Sequence, residues 1–205
     1  MLDLYFVRHG ETEWNKAGRM QGRLDSNLTE KGLKEAERLG EHLQEMQFDE
    51  IISSPSSRTI QTAEKLAGSS TAAIRTDERL MEIHLGQWQG KTGDEIKMLF
   101  PEQYGYYWNE PEKFENPEGE TFLDVKTRLA GFLQELGASR GTGKILIVTH
   151  AVVIKTAVML ANKVTVNEIW EPPFIHGTSL THMKYRDGVL ELVLAGDLSH
   201  IGVPG

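Results

Sequence analysis

The 205-residue chain carries 22 Lys and Arg against 30 Asp and Glu, a formal net charge of −8, and it has no cysteine. That balance speaks against nucleic acid as a partner, which needs a basic surface, and the missing thiol excludes a cysteine nucleophile and fits a reducing compartment. With 39% hydrophobic and 25% charged residues there is enough apolar material for a sizeable core, and no apolar run reaches membrane-spanning length. The chain begins on strand-like Met1-Leu2-Asp3-Leu4, with no basic stretch ahead of an apolar one. A cytoplasmic protein with no membrane contact, organised as one domain over 1–205, is the expectation.

Leu4-Tyr5-Phe6-Val7 reads as a buried strand that runs straight into Arg8-His9-Gly10-Glu11-Thr12. Thr29 then caps a helix whose apolar positions Leu33, Ala36, Leu39, Leu43 and Met46 recur every three or four residues. Ile51-Ile52 is a short second strand, Pro55 and its serines make a loop, and Arg58 starts a helix through Ile60, Ala63 and Leu66. From about 88 to 117 the pattern changes. Phe100, Tyr104, Tyr106, Tyr107, Trp108 and Phe114 lie among acids and prolines, which predicts a partly irregular insertion with short helices. It is either a cap over a site or a local aromatic mini-core.

Phe122, Val125, Leu129, Phe132, Leu133 and Leu136 trace a helical stripe that the glycines from Gly137 to Gly143 are expected to end. A buried strand, Ile145 to Val148, delivers Thr149-His150 to an apolar helix, Val152 to Leu160. Ser179 to Tyr185 and Val189 to Ala195 form a hairpin about an Asp-Gly turn. Strands alternating with helices predict a three-layer α/β/α sandwich with a mainly parallel central sheet, one antiparallel edge strand and the small cap. Ligands of such sheets bind outside the strands' carboxyl ends, where His9, Arg58 and His150 would converge.

Those three residues together make an anion site. A guanidinium offers a planar fork of donors to phosphate oxygens, and a neutral imidazole carries a lone pair able to attack phosphorus. Taken singly, His150 is as readily a structural histidine, Arg58 a helix-start ion pair, and Glu82 a surface carboxylate.

Four separated blocks bear on the choice: Arg8-His9-Gly10-Glu11-Thr12 with Asn15, Arg19, Gln21-Gly22 and Leu28-Thr29-Glu30-Lys31-Gly32; Ser53-Ser54-Pro55-Ser56-Ser57-Arg58; Glu82 with Gly86-Gln87-Trp88-Gln89-Gly90; and Val148-Thr149-His150. In this order they resemble the histidine phosphatase superfamily, also called phosphoglycerate-mutase-like proteins, and within it the bacterial broad-specificity phosphomonoesterases. The resemblance implies that His9 is the nucleophile, that Arg8, Arg58 and His150 form a cationic cage, and that Glu82 is the acid. It implies further phosphate contacts from Asn15, Gln21 and the Gly22 amide. In this reading His150 donates as a cation while His9 stays neutral, so the two imidazoles titrate apart. Ala151 stands where many members have glycine, adding a methyl group beside the phosphate.

No metal-ligand spacing is present, and no metal or cofactor is expected. His84 and His176 are candidates for the pocket wall, and His42, His182 and His200 are read as solvated or structural. Mutases of the family carry Arg-His-Tyr-Gly after the glutamate, whereas Glu82 is followed by Ile83-His84-Leu85-Gly86. Hydrolysis of small phosphate monoesters by a monomer or homodimer is the favoured reading. A phosphoglycerate mutase, an α-ribazole 5′-phosphate or fructose 2,6-bisphosphate phosphatase, and a silent phosphate-binding interaction domain are the alternatives.

Overall fold

A computed structural model describes residues 1–68 and 73–202. Leu2–Arg8 (β1) and Gly143–Thr149 (β4) are the central strands, paired in parallel from Leu2 opposite Gly143 to Arg8 opposite Thr149. Their apolar runs are covered on both faces, which a parallel pair at the centre of a layered fold requires. Glu50–Ser53 (β2) flanks β4, and three-residue Ile74–Thr76 (β3) forms that edge. On the other side Leu180–Arg186 (β5) runs antiparallel to β1, and Val189–Asp197 (β6) pairs antiparallel with β5. The order is β3-β2-β4-β1-β5-β6. The antiparallel strand therefore lies one place in from the edge, because the hairpin returns β6 to the direction of β1. Its turn, Asp187 and Gly188, has φ of 50° and 81°, the positive pair a two-residue hairpin demands.

Glu30–His42 (α2) and Ser57–Ala67 (α3) cover one face of the sheet, and Phe122–Ser139 (α6) and Ala151–Asn162 (α7) cover the other. Short helices Glu13–Lys16 (α1), Gly93–Leu99 (α4) and Pro101–Asn109 (α5) complete the set. The Thr29 hydroxyl caps α2 by accepting from the Gly32 N–H at 3.0 Å. The predicted stripe overshoots at the other end. Leu43 caps the helix, the chain turns back toward β2, and Met46 is exposed. The glycine run that should have stopped α6 does not begin to do so at Gly137. A Cβ there would meet the Tyr185 ring of β5 at 2.5 Å, so this glycine serves packing and the helix continues to Ser139.

Within 88–117 the structure has α4, α5 and a 3₁₀ turn at Pro111–Lys113. Trp88, Tyr107 and Phe114 are buried there and pack with Phe122 of α6 and with Trp170, as part of the large core on the α6/α7 side. Each such buried apolar side chain contributes about 1.5–3 kcal/mol. The aromatic segment is joined to the main core, and one of its faces, Tyr107 and Trp108, also lines a cavity.

Candidate active site

The cavity opens at the carboxyl ends of β1 and β4 and has a volume of about 500 Å³. β1 ends by placing Arg8 and His9 on its floor. Directly after them the chain must pass very close to α2: a Cβ on Gly10 would lie 2.7 Å from the Gly32 carbonyl oxygen. That contact, with the Gly10 N–H donating to Thr62 Oγ1 of α3 at 3.0 Å, fixes the backbone next to His9. His9 is 3% exposed, and its Nδ1 sits 2.8 Å from the Gly10 carbonyl oxygen. A carbonyl can only accept, so Nδ1 holds the proton and Nε2 is left with its lone pair. Burial first, then the charges of Arg58 and Arg8, hold the His9 pKa well below its ordinary value. The ring is neutral at neutral pH.

The loop after β1 contributes Asn15, Gln21 and Gly22 to the wall. Asn15 Oδ1 accepts from the Thr12 N–H (3.1 Å) and hydroxyl (3.0 Å), and Gln21 Oε1 accepts from Ser26 Oγ (3.1 Å). Both amides thereby keep their N–H ends for the cavity. Gly22 has φ +54°, and a Cβ would meet Gln89 Oε1 at 2.4 Å, so a larger residue would strain this turn and displace the Gln89 amide.

Arg58, in the first turn of α3, is 1% exposed. Its Nη1 donates to the Leu24 carbonyl (2.7 Å) and to Asp25 Oδ1 (2.6 Å), and its Nη2 donates to the Gly22 carbonyl (2.8 Å) and to His150 Nδ1 (3.1 Å). In this cluster two buried guanidinium nitrogens have no hydrogen-bond partner: Arg58 Nε and Arg8 Nε. Leaving a charged group's N–H unpaired in the interior is costly. Arg8 is held in place by its Nη1, which donates to the Ile175 carbonyl at 2.8 Å.

His150 takes a different place from the one expected. It is fully buried behind His9, with ring centroids 5.3 Å apart, and does not line the cavity. Since Arg58 can only donate, His150 Nδ1 accepts, and Nε2 carries the hydrogen toward Ser54 Oγ at 2.8 Å. Burial, then Arg58, push its pKa well down as well. Here the same guanidinium and the same burial push both imidazoles toward the neutral form, whereas the expectation has His150 cationic in the field of a phosphate.

Glu82 lies across the cavity, after the 3₁₀ turn Glu78–Leu80 that the Thr149 hydroxyl anchors by donating to the Leu80 carbonyl at 2.6 Å. Its carboxyl accepts from the Ile83 N–H (3.0 Å) and the Val152 N–H (3.5 Å) in the first turn of α7. Burial outweighs these contacts and the two arginines and raises its pKa. Ala151, the first residue of α7, lines the cavity next to Val152.

Of the nine residues singled out in the sequence, eight thus line one cavity and His150 backs it. His176 also lines it, and His84 does not. His42 is exposed, His182 pairs with Asp3 at 2.8 Å, and His200 bonds the Thr178 hydroxyl at 3.1 Å. Sequence reasoning missed Asp25, which orients Arg58 and which lies in the same loop as Gln21 and Gly22. It also missed most of the opposite wall: Met20, Lys155, Trp170, Phe174 and Ile175. Trp108 and Trp170 face each other there, ring centroids 4.8 Å apart. Among the described residues no group of three or more His, Asp or Glu is placed to hold a metal ion, and no helix is long and apolar enough to cross a membrane.

The family model for the histidine phosphatase superfamily (branch 1) matches residues 4–198. Phosphoserine phosphatase 1 of Hydrogenobacter thermophilus is 33% identical over 191 residues, covering 93% of this chain and 90% of that one. A probable phosphoglycerate mutase, GpmB, of Yersinia pestis is 31% identical over 215 residues, covering 100% and 97%. The solved structure of YhfR from Bacillus stearothermophilus superposes with a TM-score of 0.94 at 41% identity, covering 98% of this chain and 100% of that one.

Proposed function

Because the chain belongs to the histidine phosphatase superfamily, branch 1, we propose that it is a metal-independent phosphomonoester hydrolase of broad specificity, working through a phosphohistidine on His9. The observation that carries this reading is the tautomer of His9: a buried ring whose Nδ1–H is spent on a carbonyl, which leaves the Nε2 lone pair free in the cavity that Arg8 and Arg58 also line.

Phosphoryl transfer asks for an in-line nucleophile, donors around three equatorial oxygens and an acid for the leaving group. Arg8 and Arg58 supply the fixed positive charge, and the amides of Asn15 and Gln21 with the Gly22 N–H add orientation. His9 Nε2 forms the N–P bond as the ester P–O bond breaks, and Glu82, whose pKa burial raises toward the protonated form the role requires, passes its proton to the departing oxygen. The Gly10 carbonyl takes up part of the positive charge that grows on the ring. After the alcohol leaves, the Glu82 carboxylate accepts a proton from water. The water oxygen bonds to phosphorus, and the N–P electron pair returns to Nε2. His150, neutral and bonded to Arg58, orients that arginine and packs on the nucleophile.

The wall opposite the phosphate end supports acceptance of apolar and aromatic leaving groups, since Trp108, Trp170, Phe174, Ile175 and Met20 form most of it. A mutase must hold a carboxylate-bearing substrate and keep water out, and Glu82-Ile83-His84-Leu85 lacks the arginine and tyrosine that family mutases carry there. The test is phosphate release, in chelator, from aryl phosphates, sugar phosphates, nucleotides, phosphoserine and 3-phosphoglycerate. Broad release that needs no metal supports the reading. Release from one ester alone would replace broad specificity with a dedicated phosphatase, and mutase activity without release would overturn hydrolysis.

A further inference from the structure

Helix α7 is buried from Val152 to Met159, and one charged side chain sits in that run: Lys155, 5% exposed. A lysine inside a packed helix carries a desolvation cost, and burial holds its pKa below the ordinary value. Its ammonium donates to two backbone oxygens of one segment, the carbonyls of Glu171 and of Pro173, the latter at 3.1 Å.

That segment joins the 3₁₀ turn Val166–Glu168 to β5 and has no strand or helix of its own over 170–176. It is tied at three points. Trp170 Nε1 donates to the Tyr107 carbonyl of α5 at 2.5 Å, Lys155 holds the middle, and the Ile175 carbonyl takes the Arg8 guanidinium at 2.8 Å. Between the ties it presents Trp170, Phe174 and Ile175 to the cavity. Phe174 is 68% exposed, so packing does not fix it, and its place on the wall depends on the backbone beneath it.

We propose that Lys155 is a positioning residue for substrate selection: by pinning the Glu171 and Pro173 carbonyls it sets the 170–176 strap as the wall against which a bulky apolar leaving group packs. The proposal rests on the phosphomonoesterase reading above. It accounts for a lysine where α7 otherwise buries only apolar residues and a threonine. With both identified hydrogen bonds made to the strap, the ammonium acts through the backbone rather than on the ester itself. His9 and Glu82 stand on other elements, so the chemical step is not its target.

The test compares wild type, Lys155→Gln and Lys155→Met on phenyl phosphate, 1-naphthyl phosphate and 3-phosphoglycerate, with amide hydrogen exchange of Trp170, Glu171, Phe174 and Ile175 measured beside it. The two aryl esters have similar leaving-group chemistry and differ in size, so any common effect relayed through Arg8 cancels in their ratio. Lys155→Met is expected to raise KM for the naphthyl ester about 10-fold and for the phenyl ester by no more than about 3-fold, a split typical of lost binding contacts rather than lost catalysis. Lys155→Gln, which keeps a shorter, uncharged donor, falls between, and it carries the comparison if the Met variant does not fold. Strap amides exchange faster in both variants while those of α7 do not. An unchanged naphthyl-to-phenyl ratio in folded protein overturns the proposal. So does a loss confined to 3-phosphoglycerate, which would make Lys155 a direct contact for a carboxylate. If wild type releases no phosphate from any ester, the phosphatase reading fails, and the exchange measurement alone decides whether Lys155 fixes the strap.

Discussion

The phosphate end of the cavity is assembled from residues at and after the carboxyl ends of β1, β2 and β3, backed by His150 after β4, whereas the opposite wall is assembled from Trp108 on α5, Lys155 on α7 and the strap that carries Trp170 and Phe174. The first region is buried, charged and tied by hydrogen bonds at nearly every polar atom. Two guanidinium N–H groups are buried there without a partner, and His9 Nε2 keeps its lone pair free. The second is apolar, partly exposed and held by a few backbone contacts. An enzyme that must stabilise one invariant group, a phosphoryl, and accept many leaving groups needs this division: rigidity where charge develops and a wall that can be repacked where the alcohol sits.

Substitutions can break that comparison at either end, and the largest effect is expected at the nucleophile. His9→Ala should abolish turnover, measured as phosphate release from nitrophenyl phosphate. Next comes Glu82→Gln, which should cost about 10²–10⁴-fold in kcat on esters with poor leaving groups and far less on nitrophenyl esters. Equal losses on both would point to another acid.

Glu82 also gives a pH signature with a definite sign. Burial raises its folded pKa above 4.5, so the unfolded chain releases that proton more readily and the group weakens folding as pH rises from about 4.5 through the raised value. Glu82→Gln should therefore raise Tm at neutral pH by a few degrees, and it should remove the alkaline fall of kcat/KM on poor leaving groups. The histidines work in the opposite direction: His9 and His150 are held neutral below 6.5, so stability is lost as pH falls below that value.

Arg58→Ala should cost about 10²–10³-fold in kcat, in the range for other donors to transition-state charge. Asp25→Asn, which leaves Arg58 in place without its anion, should cost less. At the other wall the expected effect is the smallest. Phe174→Ala should raise KM for 1-naphthyl phosphate several-fold and leave kcat within about 2-fold, because uniform binding is all that the ring supplies. A kcat effect as large as that of Arg58→Ala would erase the distinction between the two regions.

The same division decides what could be read in the sequence. β1 and β4 are continuous apolar runs ending in polar residues, and α6 is a regular stripe, so the strand ends and the residues they carry were legible from local pattern. The three residues of β3 left no such pattern: Arg75 and Thr76 are exposed and the strand is held by pairing to β2. The wall was mostly illegible because it has no period. Trp108 and Trp170 lie far apart in the chain and meet only through tertiary packing. Lys155 was hidden inside an apolar run, where its two carbonyl partners cannot be foreseen. His150 was placed at the site by its neighbours in sequence, yet its neutral tautomer depends on where the Arg58 guanidinium points, which only the fold decides. Gly137 looked like a helix stop and proved to be a seat for Tyr185.

Rapid quench of the enzyme with a ³²P-labelled aryl phosphate detects the covalent intermediate on His9. An acid-labile, base-stable phosphoenzyme that forms and decays at rates compatible with turnover is expected in wild type and not in His9→Ala. Label retained in His9→Ala, or turnover by wild type with no labelled protein at any time, would contradict it.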